Sequence, residues 1–316
     1  MSEFSPDYRH ILDAVYNKTP KRLPLYEHSI NTGFMEKVLD RELGSLLAGD
    51  LNDKIEYFRI YCQFHKNYGY DSVSFECCVT ELVQGGKGLC GLTTGLVKNK
   101  EDIEKFDWVE LAAQCKTEFK LYFDALSKSL PPGMKAVGGI GNGIFEIAQD
   151  FVPFTEFVYL QFDDPQGYQL LIRNIGLLLV DVWTWLLENY QETFAICRFG
   201  DDLGFKTSTL LNPVAIINDI IPQYQKVIDL IHSYNKPFLL HCCGYIFDVM
   251  DNLIDQAKID AKHSNEDQIA PFNVWLEKYG HKIGNFGGIE TNILCLSSEA
   301  ETKAYVTDVC KYSQGH

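Results

Sequence analysis

The alternation of strand-like and helix-like segments constrains the fold of this chain more than any other feature. Short apolar runs rich in β-branched residues recur, and amphipathic runs with a period of about 3.6 residues lie between them. The predicted strands are residues 22–28, 70–77, 135–141, 194–200, 237–243, 259–264 and 282–289. Strands that alternate with helices form parallel sheets. Seven such strands favour a single α/β domain over residues 1–316, a (β/α)8 TIM barrel, over an open doubly wound sheet.

The last part of the chain departs from this repeat. Residues 299–312 predict a helix, and residues 313–316 read as a loop that leads toward an eighth strand. No residues for that strand follow. We therefore expect the eighth strand to be missing or atypical, or the barrel to be closed in another way.

Charge and cysteine content narrow the classes of function. The chain has 28 Lys and Arg against 43 Asp and Glu, a formal charge of −15. A surface this acidic repels phosphate backbones and anionic lipid. We therefore expect neither nucleic acid nor a membrane as a partner. The N-terminus lacks the apolar run of a signal peptide, and the longest apolar stretch, residues 175–187, predicts a buried helix rather than a membrane span. The ten cysteines then indicate a reducing, cytoplasmic location.

Polar and thiol side chains stand at the predicted C-terminal ends of the strands. In TIM barrels the active site forms at that end, so the sequence predicts one site there. Two carboxylates, Glu76 and Asp202, are the predicted catalytic groups. The predicted substrate-binding residues are His28, Asn142, Asp201 and Glu290.

Asp201 and Asp202 are adjacent carboxylates directly after the strand predicted at 194–200. Repulsion between them can raise the pKa of one, which then acts as an acid, or both can orient a cation or substrate hydroxyls. The alternative is that Asp201 caps the next turn and Asp202 is solvated.

The sharpest local signal is His241-Cys242-Cys243-Gly244. Side chains alternate along a strand, so His241 and Cys243 point the same way and Cys242 points the opposite way. An imidazole nitrogen and a thiolate sulfur on one face can hold zinc. The alternative is a packed strand in which the cysteines act as small hydrophobes. A zinc site needs further ligands, for which His263, Glu266 and Cys77 are the candidates.

Several ordered motifs resemble the uroporphyrinogen decarboxylase-like superfamily over nearly the whole chain. The N-terminal segment is similar to its first helix and its Arg-x-Pro entry to strand 1. The segment from Gly200 to Gly204 is similar to its Gly-Asp-Asp-x-Gly loop, and His241 to Gly244 match its His-x-Cys-Gly. Residues 279–290 match its Phe-Gly…Gly-Gly-Ile-Asp strand. The resemblance implies a TIM barrel with its site at the motif residues.

The chain departs from true decarboxylases at two motifs. Their strand-1 loop is rich in arginine and holds a polycarboxylate, whereas residues 27–33 here contain no arginine. Their Phe-Ser-Asp motif orients the substrate pyrroles, whereas the chain has Cys77 in place of that aspartate. An acidic loop repels a polycarboxylate, which argues against the decarboxylase reaction.

The resemblance therefore favours the corrinoid-dependent methyltransferase branch. It implies a zinc ion held by His241 and Cys243, and a methyl group that moves between methylcobalamin on a corrinoid-binding partner protein and a thiol or another small molecule. A homodimer is also compatible with it. Two alternatives stay open: a decarboxylase of porphyrin biosynthesis, and a non-catalytic module that binds a corrinoid or a partner protein.

Overall fold

The structure is a computed structural model that describes residues 4–83 and 95–314. Six parallel strands form one sheet in chain order, and each strand pairs with the next. The strands are β1 (Ser72–Cys77), β2 (Lys135–Ile140), β3 (Phe194–Gly200), β4 (Phe238–His241), β5 (Ala261–His263) and β6 (Gly284–Asn285). This is an α/β architecture consistent with a TIM-like fold, while closure of the sheet into a barrel stays a prediction.

The strand predicted at residues 22–28 is wrong, since this segment joins no ladder in the described structure. Pro24 has no N–H to donate to a neighbouring strand, and Leu23 is 64% exposed. The segment nevertheless lies between the two edges of the sheet. Ser74 of β1 donates a hydrogen bond to the carbonyl of Glu27, and the Tyr26 ring packs edge-on against Phe286, next to β6. Residues 22–28 thus bring His28 to the sheet without forming a strand.

The last predicted strand, at 282–289, is much shorter in the structure. β6 covers only Gly284 and Asn285. Gly287 and Gly288 follow with φ of 106° and 90°, which is not strand geometry, so the chain turns away from the sheet there.

Side chains of alternate strand residues form two separate apolar layers. Val137, Ile196 and Leu239 face the inner side of the sheet, where they pack against Ile11 and Val15. These two residues belong to α1 (Arg9–Val15), which covers the N-terminal part of the strands. The other set of strand residues packs under the surrounding helices: Ala136, Cys197, Phe199, Phe238 and Leu240. Because α1 covers that end, the opposite end of the sheet is left for a site.

The remaining helices connect and cover the strands. They are α2 (Thr32–Leu39), α3 (Gly44–Ala48), α4 (Leu51–Asn67), α5 (Lys100–Lys105), α6 (Trp108–Ser129), α7 (Ile144–Phe151), α8 (Phe154–Asp163), α9 (Pro165–Tyr190), α10 (Pro213–Ala215), α11 (Ile221–Ser233), α12 (Phe247–Asp255), α13 (Phe272–Tyr279), α14 (Thr291–Leu296) and α15 (Glu299–Tyr312).

The apolar stretch at 175–187 lies inside α9, which is longer than the pattern predicted. Asp164 caps the helix by accepting the N–H of Gly167, and Pro165 starts it. By length and composition α9 could cross a membrane, but 56% of its most apolar window is buried in the protein. Trp183, Leu179 and Val182 are fully buried. This is the burial of a core helix.

Candidate metal centre

A cavity of about 520 Å³ lies at the C-terminal end of the strands. It brings together side chains that the sequence places more than 260 residues apart. Its lining includes His28, His241, Cys243, His263, Glu266 and Glu290. Glu76 and Asp202 stand directly beside it, with Glu76 Oε1 3.6 Å from His28 Nε2 and Asp202 Oδ1 3.9 Å from His241 Nε2. The structure therefore places most of the predicted site residues around one space.

Asp202, His241 and Cys243 form the first group that could hold a metal ion, with one ligand atom of each within 4.8 Å of the others. Cys243 Sγ lies 3.5 Å from His241 Nε2, and the Cys243 backbone N–H donates to Asp202 Oδ1 at 2.7 Å. Sulfur and nitrogen ligands of a tetrahedral zinc ion stand about 3.6 Å apart, given bond lengths of about 2.3 and 2.05 Å. The spacing of His241 and Cys243 fits zinc.

His28, His241 and His263 form the second such group. His241 Nδ1 lies 2.7 Å from His263 Nδ1, so one of these two nitrogens donates to the other. The His28 ring stacks on the His241 ring with a centroid distance of 3.9 Å. His241 thus belongs to both groups, through Nε2 on the thiol side and Nδ1 on the imidazole side.

Burial sets the protonation of the two central ligands. It lowers the pKa of His241 to about 3, helped by the neighbouring His28 and by the positive charge of Arg198. It raises the pKa of the Cys243 thiol to about 12, helped by the negative charge of Asp202. At neutral pH His241 therefore has a free lone pair, whereas Cys243 keeps its proton until a cation replaces it.

Cys242 points away from the site, as the alternation of strand side chains predicted. It is fully buried in the outer apolar layer, where its sulfur accepts the backbone N–H of Leu203 at 3.4 Å. The motif therefore supplies one thiol to the site and one to the core.

Arg198 is the buried cation beneath the site, and its side chain is only 1% exposed. It donates to Glu76 Oε2 at 2.6 Å, to the Tyr26 hydroxyl at 2.7 Å and to the carbonyl of His28 at 3.1 Å. Burial opposes ionisation of Glu76, but Arg198 and His28 outweigh it and lower the pKa of this carboxyl to about 2. Arg198 thus holds Glu76 as an anion and fixes the segment that carries His28.

Three residues that were predicted to belong to the site are buried, and they bond or pack within the protein rather than facing the cavity. Asp201 is fully buried and accepts the N–H groups of Phe145 and Glu146 at the start of α7, together with the Tyr224 hydroxyl. Its assignment to substrate is corrected, because no oxygen is left accessible. Cys77 packs in the outer layer, facing away from the cavity, and is not the third ligand.

The third of these residues is Asn142. It is 8% exposed, donates to Glu146 and accepts from Thr80, so it supports the site from behind.

Glu290 and Glu266 line the cavity with their carboxylates partly engaged. Glu290 caps α14 through the N–H of Asn292 and accepts the N–H of Asp267. Glu266 accepts the N–H of Gly244 at 3.2 Å. Their predicted roles, in substrate binding and as an additional ligand, stay predictions.

Asp202 was predicted as a catalytic carboxylate or as one of two groups that orient a cation. It lies beside His241 and Cys243, where it could be a third metal ligand. One interaction was not expected from the sequence. Glu146 accepts the N–H of Asp202 at 3.3 Å, and burial with the negative charge of Asp201 raises its pKa to about 9. Glu146 lies in the first turn of a helix, not at a strand end, so the strand-end argument misses it.

Two motif glycines let the backbones of neighbouring loops touch. A Cβ on Gly204 would come within 2.6 Å of the nitrogen of Tyr245, and one on Gly244, whose φ is +81°, within 2.2 Å of the carbonyl carbon of Gly204. These contacts join the Asp202 loop to the Cys243 loop and so set the spacing of the ligands.

Gly204→Ala is expected to lower the free energy of unfolding by about 1–3 kcal/mol, because the added methyl group meets backbone that cannot move alone. Denaturant titration measures the change. Gly44→Ala is the control, since its Cβ meets only the Glu36 carboxylate at 3.6 Å. Equal stability of the two variants would show that the loops are not tightly joined.

No family model and no curated protein matches the chain. Among solved structures, the chain is similar to a methyltransferase from Methanosarcina mazei. The TM-score is 0.66 at 14% sequence identity, over 96% of this chain and 98% of that one. At this identity the similarity shows a shared fold alone. The resemblance to the uroporphyrinogen decarboxylase-like superfamily stays a prediction.

Proposed function

We propose that the chain is a methyltransferase that moves a methyl group between a corrinoid on a partner protein and a thiol or other small molecule, with zinc held by Asp202, His241 and Cys243. The observation that carries the proposal is the meeting of these three ligand atoms at the edge of an open cavity. The fold shared with a protein described as a methyltransferase supports it. The corrinoid partner comes from the motif resemblance.

Zinc in this position would keep a substrate thiol deprotonated near neutral pH. The chain's own residues prepare the site for that role. His263 contacts Nδ1 of His241, which leaves Nε2 of the same ring facing Cys243 and Asp202. Such a contact on the second nitrogen fixes the tautomer and orientation of a metal-binding histidine. Three protein ligands leave a fourth position for substrate on the cavity side.

The charge of the cavity disfavours the decarboxylase alternative. Among the described residues that line it there is no lysine or arginine, whereas Glu27, Glu266 and Glu290 are present. A porphyrinogen with several carboxylates would be repelled by these three glutamates. We therefore expect no binding of uroporphyrinogen at micromolar concentration.

Binding of one zinc ion is expected to release one proton, and zinc affinity should therefore depend on pH. The Cys243 thiol, whose pKa is raised to about 12, must lose its proton, while His241, whose pKa is lowered to about 3, is already neutral. Zinc affinity should thus rise about tenfold per pH unit between pH 6 and 8. Calorimetry in buffers of different ionisation enthalpy counts the protons, and release of none would contradict the thiolate ligand.

Methyl transfer tests the proposal itself. Zinc-loaded protein is mixed with free methylcobalamin, in place of the corrinoid partner, and 2-mercaptoethanol, and the methyl thioether is quantified. The wild-type chain is expected to form the product faster than the Cys243→Ala variant by at least two orders of magnitude. Equal rates for the two proteins would contradict the proposed function.

A further inference from the structure

The three histidines at the floor of the cavity have more ligand atoms than the proposed zinc site uses. One ring nitrogen each of His28, His241 and His263 lies within 4.8 Å of the others. Zinc at Asp202 and Cys243 needs only Nε2 of His241 and leaves the other two imidazoles without a role as ligands. Each of the three side chains is partly buried but lines the cavity, so a small ion can reach them.

His28 is arranged as metal-binding histidines commonly are. Its Nε2 lies 3.6 Å from the Glu76 carboxylate, while its Nδ1 is buried and has no hydrogen-bond partner. A carboxylate on one ring nitrogen and an ion on the other is the usual pattern of a histidine ligand with its supporting group. Arg198 holds both parts of this arrangement, through the Glu76 carboxylate and the His28 carbonyl.

The other two rings already meet through the nitrogens that the ion would take. His241 Nδ1 lies 2.7 Å from His263 Nδ1, so one of these atoms carries the proton of this hydrogen bond. That proton moves to Nε2 of its own ring when the ion binds between the two Nδ1 atoms. Two nitrogen ligands of one tetrahedral ion stand about 3.3 Å apart. Only a small separation of these rings is therefore needed.

The His28 ring is stacked on the His241 ring. It has to rotate out of this stacking before its Nδ1 can bind the same ion as the other two rings. The segment at residues 22–28 pairs with no strand. The His28 side chain can therefore turn without breaking a ladder of the sheet.

We propose that His28, His241 and His263 form a second metal site that takes one divalent transition-metal ion on three imidazole nitrogens. Because it shares His241 with the thiol group, the two sites compete for this ring. Three imidazoles suit copper, nickel, iron or zinc, and the set that contains Cys243 suits zinc. This proposal shares His241 with the proposed zinc site but does not depend on methyl transfer.

Cobalt binding to the Cys243→Ala chain tests the second site, since the thiol site is removed there. One Co²⁺ per chain is expected, with visible d–d bands and without the near-ultraviolet band of cobalt bound to a thiolate. Adding His28→Gln to Cys243→Ala is expected to weaken Co²⁺ binding at least about tenfold, and His263→Gln by a similar factor. His281→Gln, an exposed histidine outside the cavity, is the matched control and should change nothing.

Two results would overturn the second site. In one, the Cys243→Ala chain binds no Co²⁺ although circular dichroism shows it folded. In the other, His28→Gln and His263→Gln bind Co²⁺ as tightly as the His281→Gln control. Neither result bears on methyl transfer by the zinc-loaded wild type, and absence of methyl transfer leaves the Co²⁺ titration unchanged. The two proposals can therefore fail separately.

Discussion

Replacing Cys243 by alanine is expected to weaken zinc binding by more than about 100-fold, since even loss of a group that only supports a ligand costs 10–100-fold. The variant loses the one sulfur ligand beside His241 and Asp202. Cys242→Ala is the matched control. It also removes one sulfur atom, but from the neighbouring side chain, which faces the core. Zinc affinity of that variant should be unchanged.

Zinc affinity of both variants is measured by competition with a chromophoric chelator at pH 7.5. The comparison separates a ligand from a packing role, since each variant makes a cavity of one sulfur atom. If both variants lose zinc equally, or neither does, the assignment of Cys243 as the ligand is wrong.

Arg198→Met is expected to lower the free energy of unfolding by about 3–5 kcal/mol, the usual cost of removing one partner of a buried ion pair. The change leaves the Glu76 carboxylate without its cation and the His28 carbonyl without its donor. Denaturant titration gives the free energy. The double variant Arg198→Met and Glu76→Gln should recover more than half of the loss, because no unpaired charge remains.

An exposed ion pair is the control for the stability change of Arg198→Met. Lys311 and Asp308 are 65% and 53% exposed, so Lys311→Met should cost about 0–1 kcal/mol. A cost for Arg198→Met that is no greater than this, or a double variant no more stable than the single one, would contradict the role given to the buried pair.

Much of the sheet could be predicted from the sequence, because buried parallel strands leave strong patterns. β3 begins and ends at the predicted residues, and β1, β2 and β4 lie within their predicted ranges. The segment at 22–28 has the same apolar character, yet it pairs with no strand in the described part of the chain. Tyr26 of this segment packs edge-on against Phe286, and periodicity cannot distinguish such a contact from strand pairing.

The residues of the candidate metal centre could be predicted only in part from the sequence, because of their spacing along the chain. His241 and Cys243 are two residues apart within the strand predicted at 237–243, so alternation predicts that they share a face, although β4 itself ends at His241. Asp202 and His28 come from other segments, and only the order of the strands and the close contact of Gly204 with Gly244 bring Asp202 beside them. Cys77 was a poor candidate for the same reason, since one residue along β1 changes the face.

Zinc K-edge X-ray absorption of the wild-type chain tests the central claim most directly. The zinc-loaded protein is predicted to hold one zinc per chain, with one sulfur at about 2.3 Å and nitrogen or oxygen ligands at about 2.0–2.2 Å. The sulfur shell should vanish in Cys243→Ala and persist in Cys242→Ala. A chain that binds well under one zinc, or a wild-type spectrum with no sulfur shell, would contradict the zinc centre on which the proposed methyl transfer depends.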